Sequence, residues 1–365
     1  MVRATYSVLA VLLALTLTSI AAAQVITESP VFPGAPYYSS LPPTAAESFP
    51  APQASPAYAP SPLAAPDHSL DMGYPIDGGG PHWVATADAI FLQRSAPNSR
   101  QLLYDPGTAS ELLDASNLGF SMNAGPRVSL RRDDPAGLGL ELAYFSVDGW
   151  RSSANFPSSA FLYGVGYLSI DDAMTTPVTD AQFQYTSRLY SGEVNLRYSL
   201  NPWLTPLVGL RWVDFEDQYA ANGQTLSGPF NEMVRGHNHL YGSQLGLDAR
   251  LFDRPTPFQL GVLAKAGLYA NAASQNNDYA DTLNSFSARA SDSHLAFQGE
   301  IGVTVSYEVV KHFTLHAGYQ VMWLTGVALA PNQIAATDFG SAQASVNTTG
   351  TLFCHGASAG LEVAW

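Results

Sequence analysis

The sequence predicts an all-β protein, an antiparallel up-and-down transmembrane β-barrel of about ten strands placed after a disordered Pro-rich segment. Three observations predict it: a short apolar leader, segments of period-two hydropathy, and long and short connections that alternate along the chain.

The leader comes first. Arg3 precedes an uncharged apolar run of 13 residues, Val8 to Ile20, followed by Ala21, Ala22 and Ala23. That run is short of the roughly 20 residues that a membrane-spanning helix needs. It reads as a signal peptide over 1–23, cleaved before Gln24, which places the remainder outside the cytoplasm. No later stretch reads as a transmembrane helix. A membrane location then requires a closed barrel, the other structure that satisfies every backbone group in lipid.

Residues 24–80 contain 12 prolines and no Lys or Arg, with Ala and Ser abundant and no apolar periodicity. Such a segment buries too little to offset its ordering entropy and reads as a disordered linker. Its expected place is the periplasm, as a spacer or as a contact to a periplasmic or cell-wall partner. The barrel is assigned to 81–365.

Within the barrel, 119–132 sets the pattern. Phe120, Met122, Ala124, Pro126, Val128 and Leu130 share one face, and Ser121, Asn123, Arg127, Ser129 and Arg131 the other. Comparable strands are drawn at 83–94, 138–148, 188–200, 203–213, 240–252, 258–270, 295–307, 313–323 and 352–365. Short turns follow at 133–137, 201–202, 253–257 and 308–312, three of them built from Asp, Asn, Pro and Gly. Long connections fall at 95–118, 149–187, 214–239, 271–294 and 324–351, and are read as extracellular loops. Acids such as Asp105, Asp171, Asp172, Asp217, Asp278 and Asp281 make these loops acidic.

Charge placement gives the facing. Asp88, Glu141, Glu193, Asp248, Glu300 and Glu362 fall on the polar row, as do Arg127, Arg131, Arg197, Arg211, Arg250 and Lys265. This row is assigned to the lumen, where opposed charges should pair. The tryptophans are assigned to two girdles, Trp83, Trp203 and Trp365 at the short-turn end and Trp150, Trp212 and Trp323 at the other. Trp203 has the inward parity of its strand, and His355, Pro126 and Pro206 sit awkwardly on the lipid row. The terminal strand, ending at Trp365, resembles the C-terminal strand of outer-membrane proteins, whose last aromatic is read by the barrel-assembly machinery. The segments 83–95, 189–212 and 239–248 resemble the bacterial family called beta barrel protein seven. That resemblance implies an outer-membrane barrel with no established activity.

The function expected is an integral outer-membrane barrel in contact with outer-membrane lipid, with a structural or narrow-pore, porin-like role. The alternatives are a surface receptor or adhesin working through the long loops, and an outer-membrane enzyme with a site at the rim. A net charge of −14 argues against nucleic acid as a partner. No catalytic residue, cofactor or metal site is assigned. His237 and His239 are two apart but lack an evident third ligand. Asp292, Ser293 and His294 form a polar cluster resembling the Asp–His pair of outer-membrane proteases. The single cysteine, Cys354, is expected to be buried.

Overall fold

The computed structural model describes residues 82–105, 110–164, 178–225, 228–251 and 257–365. The leader, the Pro-rich linker, Asp171 and Asp172 lie outside the described residues. The elements in chain order are β1 (His82–Arg94), β2 (Gln101–Asp105), β3 (Ser110–Asp114), β4 (Asn123–Asp133), β5 (Leu138–Gly164), β6 (Val178–Tyr198), β7 (Leu204–Thr225) and β8 (Gly228–Arg250). There follow β9 (Phe258–Ala280), β10 (Ser285–Val310), β11 (Phe313–Val327), the short helix α1 (Ala330–Ala335), β12 (Thr337–Asp338), β13 (Gln343–Ala344) and β14 (Gly350–Ala364). Among the described residues no helix is long and apolar enough to cross a membrane.

Ten strands make a closed antiparallel wall: β1, β4 to β11, and β14. Sequential neighbours pair in order, and β1 pairs with β14 in the register Asp88↔Gly360, which closes the ring. The hairpin β2–β3 is an extension at one end, joined to the far end of β5 by Leu103↔Gly164 and Tyr104↔Tyr163. Over the short-turn half the wall strands are paired on both sides, so the ladder there satisfies the backbone without help from solvent, whereas β5 beyond Phe145 pairs mainly with β6 and β10 before Phe297 with β9.

The strands are longer than the sequence reading allowed, and this is the main correction. From β5 to β10 they run 21 to 27 residues, against the roughly 9–11 that cross a bilayer. Much of 149–187, 214–239 and 271–294, read as loops, is wall. β7 and β8 meet at Thr225↔Gly228, and β9 and β10 at Ala280↔Ser285.

The reason lies in the side-chain rows. In β7 the outward row is Leu204, Pro206, Val208, Leu210 and Trp212, then Asp214, Glu216 and Gln218. The inward row starts polar, with Arg211 buried, then becomes Val213, Phe215 and Tyr219, all buried. Hydropathy exchanges faces while the strand continues without a break. In β8 the same exchange takes the outward row from Leu247, Leu245 and Tyr241 to His239, His237 and Arg235. In β10 it runs from Val303, Ile301 and Leu295 to Ser293, Ser291 and Arg289. The short-turn half therefore wears its apolar side chains outside. The far half wears them inside, like a soluble barrel.

The inner apolar row forms one contiguous core. It joins Ile90 and Leu92 of β1, Phe183 and Tyr185 of β6, Phe215 and Tyr219 of β7, Val234 and Leu240 of β8, and Leu352 and Cys354 of β14. Leu329, Ala330 and Ile334, from the segment that carries α1, pack into the same core. α1 contacts β7, β8 and β9. The core thus plugs the barrel above the polar lumen.

Two side chains assigned outward belong to this core. Trp150 is 1% exposed and takes no part in a girdle. Its register slips at Gly149, where Asp148 faces Arg188 but Trp150 faces Ser187. Gly149 has φ +106°, which a side chain tolerates poorly, and the extra residue of this bulge turns Trp150 inward. Its indole Nε1 donates to the Leu92 carbonyl at 3.0 Å. Phe120 is buried as well, because it precedes β4 and is not bound by the parity of that strand. Trp203 likewise precedes β7, in the turn after Asn201, so it stands exposed at the short-turn end despite its parity.

Gly149→Val should move Trp150 off the core at a cost of about 1–3 kcal/mol, read as a lower urea midpoint with a red-shifted tryptophan emission. Gly119→Ala, where an added Cβ meets nothing within 4 Å, should leave both unchanged.

Candidate functional site

The lumen of the short-turn half holds a connected polar network. Arg197 Nη1 donates to Glu141 at 2.8 Å, and Nη2 to Asp248 at 2.5 Å. Asn195 donates to Glu141 at 3.0 Å and to Glu193 at 3.1 Å, and Gln244 donates to Asn195 Oδ1 at 2.7 Å and also to Glu193. Lys265 Nζ reaches Glu193 at 2.9 Å, and Arg211 Nη1 reaches Glu300 at 2.9 Å. Four strands contribute the acids and three the bases. In so narrow an interior each charge must be matched, because an unpaired one would be far more costly than the pair.

The rest of the row is peripheral. Asp88 is hydrogen-bonded to His316, Arg127 donates to Gln320, and Arg131 pairs with Asp133 at 2.8 Å. Glu362 is half-buried between Thr86 and Thr314. Arg250 is a correction: it is exposed at the short-turn rim, because the β8 ladder with β7 ends one residue earlier, at Ala249.

Outside, Trp83, Trp212 and Trp323 lie half-buried on the outward row, and Trp365 is exposed. Trp323 lies over Gly299, where a Cβ would stand 2.1 Å from the ring. His355 does face outward, and its Nδ1 is satisfied by the Tyr319 hydroxyl at 2.6 Å. Pro126 stands where the pairing of β4 with β5 ends, at Arg127↔Phe145. Pro206 likewise stands where the pairing of β7 with β6 ends, at Arg197↔Leu207.

Above the lumen is a group of residues that sequence reasoning assigned to no site. Asp217, read as a loop acid, is fully buried in the core. Arg94 Nη1 donates to its Oδ1 at 2.6 Å, and the Tyr185 hydroxyl donates to its Oδ2 at 2.5 Å. Arg94 Nη2 donates to the Tyr185 hydroxyl at 3.0 Å, and the backbone N–H of Ala330 closes the set on Asp217 at 2.8 Å. Phe120, Tyr185 and Phe215 surround the guanidinium at 4.6, 5.1 and 5.4 Å. The carboxylate of Asp217 holds the Arg94 guanidinium charged against its burial, and burial pushes the Tyr185 hydroxyl well above the phenol range. Cys354 is buried beside this group, and burial pushes its thiol up to about 12.

The same group ties down the inserted segment. Asn238 accepts from the Ala328 N–H at 2.7 Å and donates to the Ala328 carbonyl at 3.0 Å. Asn271 donates to the Gly326 carbonyl at 2.9 Å, and Gln275 to the Ser345 carbonyl at 3.1 Å. A polar side chain from the wall thus meets the inserted backbone at each step. Its signal in the sequence is a buried-type row, Asp217, Asn238, Asn271 and Gln275, inside strands that read as loops.

Within β10, beside Leu295, His294 Nε2 lies 3.2 Å from Asp292 Oδ2, with Asp292 largely exposed, so the pair sits in the wall and not at the rim where the sequence reading put it. The pair brings no nucleophile of its own. On the outer surface, His237 and His239 come together with Asp214 of β7, a third residue the sequence did not connect to them.

No family model matches this chain, and none of the curated proteins matches it. Solved structures similar to it include the outer-membrane protease OmpT of Escherichia coli, at 11% identity over 80% of this chain and 98% of that one, with a TM-score of 0.43. Neisserial surface protein A is 12% identical over 77% of this chain and 96% of that one, with a TM-score of 0.27. The P. putida toluene transporter TodX is 11% identical over 79% and 89%, with a TM-score of 0.30. These three are outer-membrane barrels of different roles, and at such scores they carry no argument about the role of this chain.

Asp217→Ala should leave the Arg94 charge buried without its partner and cost about 3–5 kcal/mol, seen as a fall in the urea midpoint. The double change Arg94→Met with Asp217→Leu should recover most of that loss. A loss as large in the double variant would show that the ion pair itself is not what the core depends on.

Proposed function

We propose that the chain is an integral outer-membrane β-barrel with a closed lumen, serving as a structural barrel rather than an open pore. The observation that carries the reading is the exchange of rows. Large apolar side chains such as Leu210, Leu245, Leu247, Ile301, Val303 and Tyr319 stand exposed around the short-turn half, an expanse that a water-soluble surface would not leave bare. Beyond Trp212, Tyr241 and Leu295 the outside turns polar, as it would on leaving hydrocarbon. The packed core with its inserted segment then favours a closed interior over the narrow-pore alternative.

In this reading the membrane lipid contacts the apolar band, Trp365 ends the strand presented to the barrel-assembly machinery, and the segment 24–80 extends into the periplasm. The far half of β5 to β10 projects from the membrane with a polar outer face, which favours surface recognition as the second reading. Membership of beta barrel protein seven rests on the three resembling segments alone.

Reconstituted in planar bilayers, the folded protein should give no stepwise conductance while running as a heat-modifiable band in SDS. Regular unitary steps would contradict the closed lumen. In cells, Leu210→Arg should lower the heat-modifiable protein in outer membranes, since a mid-membrane charge costs about 2–4 kcal/mol. Gln218→Arg, on the same row beyond the border, should assemble like wild type.

A further inference from the structure

We infer that the outer surface carries a transition-metal site, in which Asp214, His237 and His239 form a two-histidine, one-carboxylate set for a divalent cation of the zinc class. The antiparallel register of β7 and β8 places Asp214 directly opposite His239. Strand alternation then brings His237, two residues on, to the same face. Asp214 offers one oxygen to each ring: Oδ1 lies 3.2 Å from His237 Nε2, and Oδ2 lies 2.9 Å from His239 Nδ1. The donor atoms all lie within 4.8 Å of one another.

Those separations suit ligation. Zinc–nitrogen and zinc–oxygen bonds of about 2.0–2.2 Å in a tetrahedral site put neighbouring donors roughly 3.3–3.5 Å apart. The two nitrogen–oxygen separations run to different Asp214 oxygens and are somewhat shorter than that range, and small rotations of side chains on a rigid two-strand ladder can open the set to ligating distances. Imidazole nitrogen favours zinc, copper and nickel, whereas magnesium and calcium prefer oxygen alone. Three protein ligands leave a fourth position for water, and the set is half-buried with its open side to solution. The site lies immediately beyond Trp212 and Tyr241 on the outward rows, where the wall changes from apolar to polar. A cation there would cross-link β7 to β8 at the border between the two halves.

The test uses the full protein, folded in detergent, stripped with a chelator and titrated with zinc chloride by calorimetry. The expected result is one zinc per chain, bound in preference to magnesium or calcium. His239→Ala and Asp214→Asn should each weaken it by more than the roughly 10- to 100-fold that loss of an outer-shell partner costs. His355→Ala, which removes an outward histidine elsewhere on the wall, should leave it unchanged, and heat-modifiability reports that each variant is folded. With copper in place of zinc, the electron paramagnetic resonance spectrum should show coupling to two nitrogens, falling to one in His239→Ala. Failure of the wild type to bind zinc, or stoichiometric binding that survives the double change His237→Ala with His239→Ala, would overturn the assignment.

Discussion

A strand that passes from hydrocarbon into water has to exchange its two faces, and the wall of this barrel depends on that constraint. The backbone ladder is indifferent to the change, because β6, β7, β8 and β9 stay paired with one another straight across it. The side chains are not. Along β7, Leu210 is 66% exposed and its neighbour Arg211 is 3% exposed. A few residues further on, Phe215 is buried and Glu216 faces out. One continuous strand satisfies both solvents only because apolar and polar rows trade places at Trp212.

The two interiors that result are built from different interactions. Below the border, ion pairs and amides fill a narrow lumen, and Arg197, Lys265 and Arg211 each find a carboxylate. Above it the interior is an ordinary packed core, and the ion pair of Arg94 with Asp217 that it encloses is held by Tyr185 and a backbone N–H as well. That added support matters, since a buried pair with poor geometry would not offset its desolvation. The inserted segment around α1 depends on the same carboxylate. The core and the plug are therefore coupled through Asp217.

The ten wall strands were legible because each lower half alternates with its apolar row outward. Val128 against Arg127 and Ile301 against Glu300 are plain examples. The upper halves were misread because a search for lipid-facing rows takes the exchange of faces for the end of the strand. Yet Val213, Phe215 and Tyr219 against Asp214, Glu216 and Gln218 alternate as regularly as anything below them. Small and polar residues hid the rest, as in Ala272, Ala273, Ser274 and Gln275 of β9. Trp150 was illegible for another reason: a one-residue bulge at Gly149 reverses parity, and the sequence marks it only by a glycine. The partnership of Asp214 with His237 and His239 needed the β7–β8 register, which 23 residues of separation between Asp214 and His237 conceal.

The exchange of faces can be measured along a single strand. Nitroxide labels placed one at a time at 206, 208, 210, 216, 218 and 220, in a Cys354→Ala background and in lipid bilayers, report the solvent of the outward row of β7. The account predicts collision with dissolved oxygen at 206, 208 and 210 and with a water-soluble nickel complex at 216, 218 and 220, with the change falling beside Trp212. Water accessibility at all six positions, or oxygen dominance at all six, would contradict it.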